Sequence, residues 1–364
     1  MNRRKFMIAT SGTLGAFAIT SNSNQLWAGN NFKIPAFHPE SNFNKLDETH
    51  LKILHYASLA PSSHNVQPWT VKVEDYNTWI IGIDSSRCLP AVDPTRREMY
   101  LSLGTFLENM ILAAGTMGVQ INYNVQENDT ELLKIGLKKA AVKEYPLQRL
   151  QLRRTIKTGH QIRPLAKSDQ EFLLKEVQYA AYYPFISAIA DKINQLSVEA
   201  NQLQVNRDDA QRELAEWIRF SKKEAHENKD GLTPASMEIN GLARFFVQTF
   251  YNKSTVMKES FRKQTVEITK NQVEQCGGWL VCYSENNSKA ALIETGRRFE
   301  RVALKAREKK IALHPISQAI EELPERINQA LPVQLPVQFL VRASYIDHYP
   351  EPVSLRREVM SFVN

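Results

Sequence analysis

The feature that most constrains the fold is a repeat of the chain within itself. Trp79-Ile-Ile-Gly-Ile-Asp84 has a partner in Trp279-Leu-Val-Cys-Tyr-Ser284, each a short β-rich run opened by tryptophan. Gly104-x3-Glu108-x3-Leu112-x-Ala114 follows the first, and Gly296-x3-Glu300-x3-Leu304-x-Ala306 follows the second. Apolar residues at helical spacing make each of these a long amphipathic helix. Earlier in each half the pattern predicts another helix, over 51–59 around Leu54-His-Tyr-Ala57 and over 172–181 around Val177-Gln-Tyr-Ala180. Late strands are expected at 119–125 and 337–343. The ordered set implies a duplicated α+β unit with internal pseudo-twofold symmetry, each half a sheet flanked by helices. The first half spans 45–150 and the second 151–364.

The halves differ where chemistry is expected. After its first helix, half one reads Ala60-Pro-Ser-Ser-His-Asn-Val-Gln-Pro-Trp69; the matching place in half two is assigned to Ala181-Tyr-Tyr-Pro-Phe185, which lacks the polar cluster. Conversely, half two opens with Leu152-Arg-Arg-Thr-Ile-Lys157, where half one has Asn42-Phe-Asn-Lys-Leu-Asp47 and no arginine pair. Each half thus keeps one component, and the two together predict one complete composite site.

Pro61, Ser62, Ser63, His64 and Asn65 gather hydroxyls, a side-chain amide and turn N–H groups. That set suits a flat heterocycle rich in carbonyls and ring nitrogens with a polyol beside it, or is simply a Ser/Asn-rich turn. Arg153, Arg154, Thr155 and Lys157 carry the equipment for a phosphate dianion, or form a solvated basic face. Ser354-Leu-Arg356-Arg357 is a second candidate phosphate clamp, and equally a charged tail. The chain has no glycine-rich phosphate loop of the GxGxxG or Walker type, so a nucleotide site has to use side chains. Residues 211–250 have no clear counterpart in half one and read as a lid or as a peripheral helical insertion. His64 is a variable turn residue or a proton donor.

Composition excludes other classes. Hydrophobic residues are 43% and charged residues 23% of the 364, and 14 glycines with 16 prolines leave no room for a collagenous or low-complexity chain. Cys88, Cys276 and Cys282 are too few and wrongly spaced for a disulfide framework or a zinc site. Setting Arg3, Arg4 and Lys5 aside leaves +4 of the formal +7, too modest to argue for nucleic acid. Those three residues open a basic, then weakly apolar stretch that reads as a signal peptide over 1–28, with cleavage near Ala28 and a linker over 29–44. The apolar run from Met7 to Thr20 is too short to span a bilayer. The adjacent arginines followed by Lys-Phe resemble a twin-arginine signal, with Asn2 and Met7 as departures. The expected location is periplasmic.

Together the motifs resemble the nitroreductase-like flavoprotein family over residues 45–364. Ala60-Pro-Ser-Ser-His-Asn-Val-Gln-Pro-Trp69 is the most recognisable segment, and Arg153-Arg-Thr-Ile-Lys157 looks like the family's Arg-Arg-Ser/Thr-x-Arg/Lys opening. The leader, the length and the fused order look like the Acg-like branch, in which one chain imitates a homodimer. The resemblance implies FMN between the halves. Pro61, Ser62, Ser63 and Asn65 would line the ring and ribityl chain; Arg153, Thr155 and Lys157, with Arg154 nearby, would grip phosphate and ribityl. Arg356 and Arg357 would close on the phosphate, although Glu358 stands where the family often has proline. Pro315-Ile-Ser317 matches the position of the loop that brings a backbone N–H to flavin N5. No side-chain acid or base and no metal is implied. The implied activity passes electrons from NAD(P)H or another reduced donor to a small acceptor such as a nitro or quinone compound, in a monomer imitating a dimer. The alternative is an FMN store whose lid blocks turnover.

Overall fold

The computed structural model describes residues 46–175 and 177–364. The expected leader and linker lie outside the described residues. Among the described residues, eight strands form two antiparallel sheets. The first contains β1 (Trp69–Asp75), β2 (Thr78–Ile83), β3 (Val119–Val125) and β4 (Glu131–Lys139), in spatial order β1-β2-β4-β3. The second contains β5 (Ala180–Pro184), β6 (Gly278–Tyr283), β7 (Ile311–Pro315) and β8 (Val337–Tyr345), in order β5-β6-β8-β7. Adding four to each label of the first order gives the second, so the duplication holds at the level of topology. The tryptophan-opened runs are the equivalent inner strands β2 and β6, and both Trp79 and Trp279 are fully buried. Alternation along β6 sends Trp279, Val281 and Tyr283 into one apolar cluster and Leu280 and Cys282 into another, so helices cover both faces of the second sheet.

Two expectations are corrected. The helix expected over 172–181 ends early: it runs Lys167–Leu174, and Ala180–Pro184 pairs with β6 instead. Tyr179 takes φ +58° just before the strand, which no helix accommodates. The counterpart of the Pro61–Gln67 turn is therefore the stretch between Leu174 and Ala180, not 181–185. Second, β3 is equivalent to β7, and β8 to β4, so the two late strands first paired with each other are not counterparts. β4 escapes a hydropathy reading because Lys134, Lys138 and Lys139 interrupt its buried Leu133, Ile135 and Leu137. β7 is only five residues long.

The repeated helices Arg97–Thr116 and Lys289–Ala306 pack against each other at their matching glycines. A Cβ on Gly104 would stand 2.0 Å from the Ile293 carbonyl oxygen, and one on Gly296 would stand 2.0 Å from that of Leu101. This reciprocal contact is what a pseudo-twofold axis between the two helices requires. The C-terminal tail then crosses back to the first half. Val363 bridges Val71 in parallel, and the Asn364 N–H donates to the Val71 carbonyl at 2.8 Å. Val359, Phe362 and Val363 join the first half's core.

The halves part most between the first two strands of each sheet. β1 and β2 are joined by Tyr76-Asn77, whereas 185–277 intervene between β5 and β6. Within that excursion Asp208–Trp217, Lys222–Asn228 and Gly241–Phe250 are helical, and the first and last of them pack on a small core of Ala215, Ile218, Phe220 and Val256.

Candidate functional site

Helix Glu48–Ser58 is started by Asp47, whose carboxylate accepts the His50 N–H at 2.9 Å, and delivers the chain into the Pro61–Gln67 turn. Three non-glycine residues there sit in the left-handed region: His64 (φ +45°), Asn65 (φ +55°) and Gln67 (φ +51°). Such backbone persists only where its surroundings over-determine it. Here Ser62 Oγ accepts the Gln67 N–H at 2.9 Å, and Thr105 Oγ1 donates to the Pro61 carbonyl at 2.8 Å. The excursion and the tail supply the rest. Gly231 N–H donates to the Asn65 carbonyl at 3.1 Å, and Gln67 Nε2 to the Lys229 carbonyl at 2.9 Å. Asn65 Nδ2 donates to the carbonyls of Gly231 and Leu355, and its Oδ1 accepts from Arg356 Nη1 at 3.0 Å. The Asn65 amide therefore fastens the turn to both neighbours.

Two guanidiniums converge just before that turn, on the carbonyl that ends the preceding helix. Arg153 and Arg356 each donate through Nη2 to the Leu59 carbonyl, at 3.4 and 3.1 Å. Nε of both is buried without a hydrogen-bond partner among the described residues. Arg153 Nε lies 3.4 Å from Glu300, whose side chain is fully buried. Burial, with Arg153 beside it, pushes Arg356 down to about 9; burial pushes Glu300 up to about 8 against the pull of Arg153. The cluster carries two cations against one carboxyl that is mostly protonated near neutrality. Orphaned, preorganised donors with excess positive charge are a fit for a phosphate dianion.

The remaining expected residues divide. Arg154 donates to Glu238 at 2.9 Å and to the Glu351 carbonyl, on the wall of a separate cavity of about 260 Å³ that Thr158, Asn240 and His348 also line. Arg357 clamps the turn, donating its N–H to Gln67 Oε1 at 2.8 Å and Nη1 to the Gln67 carbonyl at 2.9 Å, without joining the Arg153–Arg356 pair. Lys157 donates to the Ser236 carbonyl at 2.9 Å; burial pushes its pKa down, and it in turn helps depress His64. Thr155 is half-buried in the same segment.

Between Ser63 and Ser317, from opposite halves, stand two glutamates that the sequence did not disclose. Glu98 feels Ser63 and Glu321, and Glu321 feels Ser317 and Glu98. Burial holds Glu321 well above the carboxylate range. Burial acts on Glu98 too, but Arg97 at 2.9 Å, with Ser63 beside it, keeps it ionised. One proton shared by two carboxyls is the economical state of such a pair. Glu300 did carry a signal, since the repeat places Glu108 at the same step. Arg297 and Arg301, from the second half's own helix, fill the place by Glu108, at 3.0 and 2.8 Å. The pseudo-equivalent place is closed by the protein itself.

Glu300 makes stability pH-dependent in a definite direction. Its folded pKa lies above the ordinary 4.5, so the stability it contributes is fully present below about pH 4.5 and is lost as pH rises through about 8. Glu300→Gln, an uncharged isostere, should match the wild type near pH 4.5. It should then gain on it progressively up to about pH 8, by on the order of a few kcal/mol. Urea unfolding of both proteins across that range checks it; a pH-independent difference refutes it.

The chain is similar to a probable nitroreductase over most of its length. It is 23% identical over 300 residues to the probable NAD(P)H nitroreductase PigM of Serratia sp. (strain ATCC 39006), covering 78% of this chain and 83% of that protein. No family model matches. Among solved structures, a nitroreductase-like family protein from Bacillus cereus aligns at 12% identity and TM-score 0.35, over 61% of this chain and 96% of that one. A putative nitroreductase from Anabaena variabilis ATCC 29413 aligns at 11% identity and TM-score 0.37, over 83% and 89%.

Proposed function

We propose that the protein is an FMN-dependent oxidoreductase of the nitroreductase type, taking electrons from NAD(P)H or another reduced donor and passing them to a small acceptor such as a nitro or quinone compound. The observation that carries this reading is the Arg153–Arg356 pair, brought together from the start and the end of the second half against a turn of the first. The relative named as a probable NAD(P)H nitroreductase supports the reaction class and the nicotinamide donor. The twin-arginine-like leader supports export and a periplasmic location. The fusion of two halves supports a monomer.

When bound, the flavin supplies the two-electron chemistry. The protein's part is to hold and to exclude. Arg153 and Arg356 would neutralise the phosphate, with Arg357 fixing the turn that faces it. Ser62, Ser63 and Thr155 offer hydroxyls for the polyol and ring edge, and Lys157 offers a cation beside His64. Ser317 stands with Glu321 and Glu98 on the other side. That pair holds one proton in a buried position between the halves.

A second reading is favoured by the bonds of the excursion to the site. Gly231 on Asn65, Lys229 on Gln67 and Ser236 on Lys157 together tie 229–236 over the turn. A cover so fastened suits an FMN store that does not turn over. The experiment is to saturate the purified protein with FMN and add NADPH or NADH anaerobically while following flavin absorbance. Bleaching within seconds is the expected result. Colour that persists until dithionite is added selects the store, and a protein that stays colourless with FMN overturns both.

A further inference from the structure

We propose that helix Gly241–Phe250 is an interfacial helix that seats the protein on an anionic lipid bilayer. Its sequence is apolar on two sides. Val247, and Tyr251 just beyond its end, pack against the excursion's small core. On the opposite side Leu242, Phe245, Phe246 and Phe250 recur at helical spacing and form one stripe, with Leu242, Phe245 and Phe250 at least 60% exposed. Phe246 stands with its ring centroid 6.1 Å from that of Phe245 and 5.6 Å from that of Phe250, so the stripe is continuous. Water-facing aromatic side chains at this density are costly unless something covers them.

Charge selects the occupant. From Asn240 to Lys258 the chain carries Arg244, Lys253 and Lys258 and no carboxylate. Arg244 is anchored beside the helix start through the Ile239 carbonyl and Asn240 Oδ1. Lys258 is exposed, and Lys253 pairs with Glu216, an exposed contact that is cheaply exchanged for another anion. Aromatic residues on one face with cations at the flank are the composition of helices that lie in the headgroup region of acidic membranes. Four partly covered side chains also fall short of the roughly 800 Å² per side that a stable protein interface buries. Adsorption differs from spanning: no helix among the described residues is long and apolar enough to cross a membrane. The helix follows directly on Ser236, Glu238 and Asn240, so a seated helix would place the cover of the candidate site at the lipid surface.

The inference stands apart from the flavin reading, and its test does not use activity. The full chain is sedimented with vesicles of phosphatidylcholine alone and of phosphatidylcholine mixed with phosphatidylglycerol, at low and high salt. Binding to the mixed vesicles, weakened by salt and by the absence of phosphatidylglycerol, is expected. Phe245→Ser with Phe250→Ser should weaken it roughly tenfold or more, and Lys258→Glu should weaken it while leaving the stripe intact. All these positions are exposed, so far-ultraviolet circular dichroism and FMN binding should be unchanged. Equal binding by wild type and the Phe variant would assign the attachment to another segment, such as residues 1–45, and overturn the proposal. So would no preference for anionic vesicles, or a self-association lost in the variant without any vesicle binding.

Discussion

Arg153→Ala combined with Arg356→Ala should all but eliminate FMN retention while weakening riboflavin binding far less. Each guanidinium removed takes away a charge-assisted contact worth about 1.5–3 kcal/mol, or roughly ten- to a hundredfold in affinity. The single variants should differ from each other. Arg356 also donates to Asn65 Oδ1 and to the Leu59 carbonyl, so its loss loosens the turn as well as the anion site. Arg153→Ala leaves that network intact, and the fold tolerates it because Glu300, already pushed up to about 8, is mostly uncharged without its partner. It also relieves Arg356 of the like charge that helps hold its pKa down. Each single loss should therefore be smaller than the contact it removes, and the loss in the double variant larger than the sum of the two. Titration calorimetry with FMN and with riboflavin, which lacks the phosphate, separates a phosphate role from a general weakening. An unchanged ratio of the two affinities in the double variant would put the phosphate elsewhere and sink the composite site.

That this site was visible in the sequence follows from what kinds of pattern tertiary structure preserves. The repeat was legible because strands with a buried tryptophan and helices with glycine at the crossing point leave fixed spacings. The complementary loss of a polar turn in one half and a basic segment in the other pointed to one joint site, and Arg153, Arg356 and the Pro61–Gln67 turn do meet. Adjacent residues were harder to separate. In the extended segment that Arg153 opens, neighbouring side chains leave on opposite sides, so Arg153 joins Arg356 while Arg154 turns to Glu238 and Glu351. Glu98 and Glu321 were invisible because each sits on a helix, where a carboxylate reads as solvated. Only packing of the two halves brings them together. β5 was misread for a related reason: its pairing with β6 is long-range, and local helical spacing outweighed it in the sequence. The small core under Gly241–Phe250 had no signature at all, since its members are spread over 215–256.

Gly104→Ala should destabilise the protein by about 3 kcal/mol or more, against the gain of up to ~1 kcal/mol that the same change brings in an exposed helix. The reason lies in what the new methyl meets. Its Cβ would sit 2.0 Å from the Ile293 carbonyl oxygen and 2.9 Å from both the Arg297 nitrogen and the Gly296 Cα. These are backbone atoms inside a helix, and no rotamer change moves them. The two long helices would have to part by more than an ångström along a contact that holds the halves together, and a close-packed interior transmits that strain. Gly296→Ala should behave alike, because its Cβ meets the Leu101 carbonyl oxygen at the same 2.0 Å. The double variant should lose less than the sum of the single losses, since one separation of the helices accommodates both methyls. It should also lower FMN affinity, because Glu300 lies one helical turn from Gly296 and Arg153 is placed against it. Urea unfolding of the three variants measures the first effect and FMN titration the second. If either single variant were as stable as the wild type, the helices could not be crossing at these glycines, and the pseudo-twofold arrangement of the halves would fall with them.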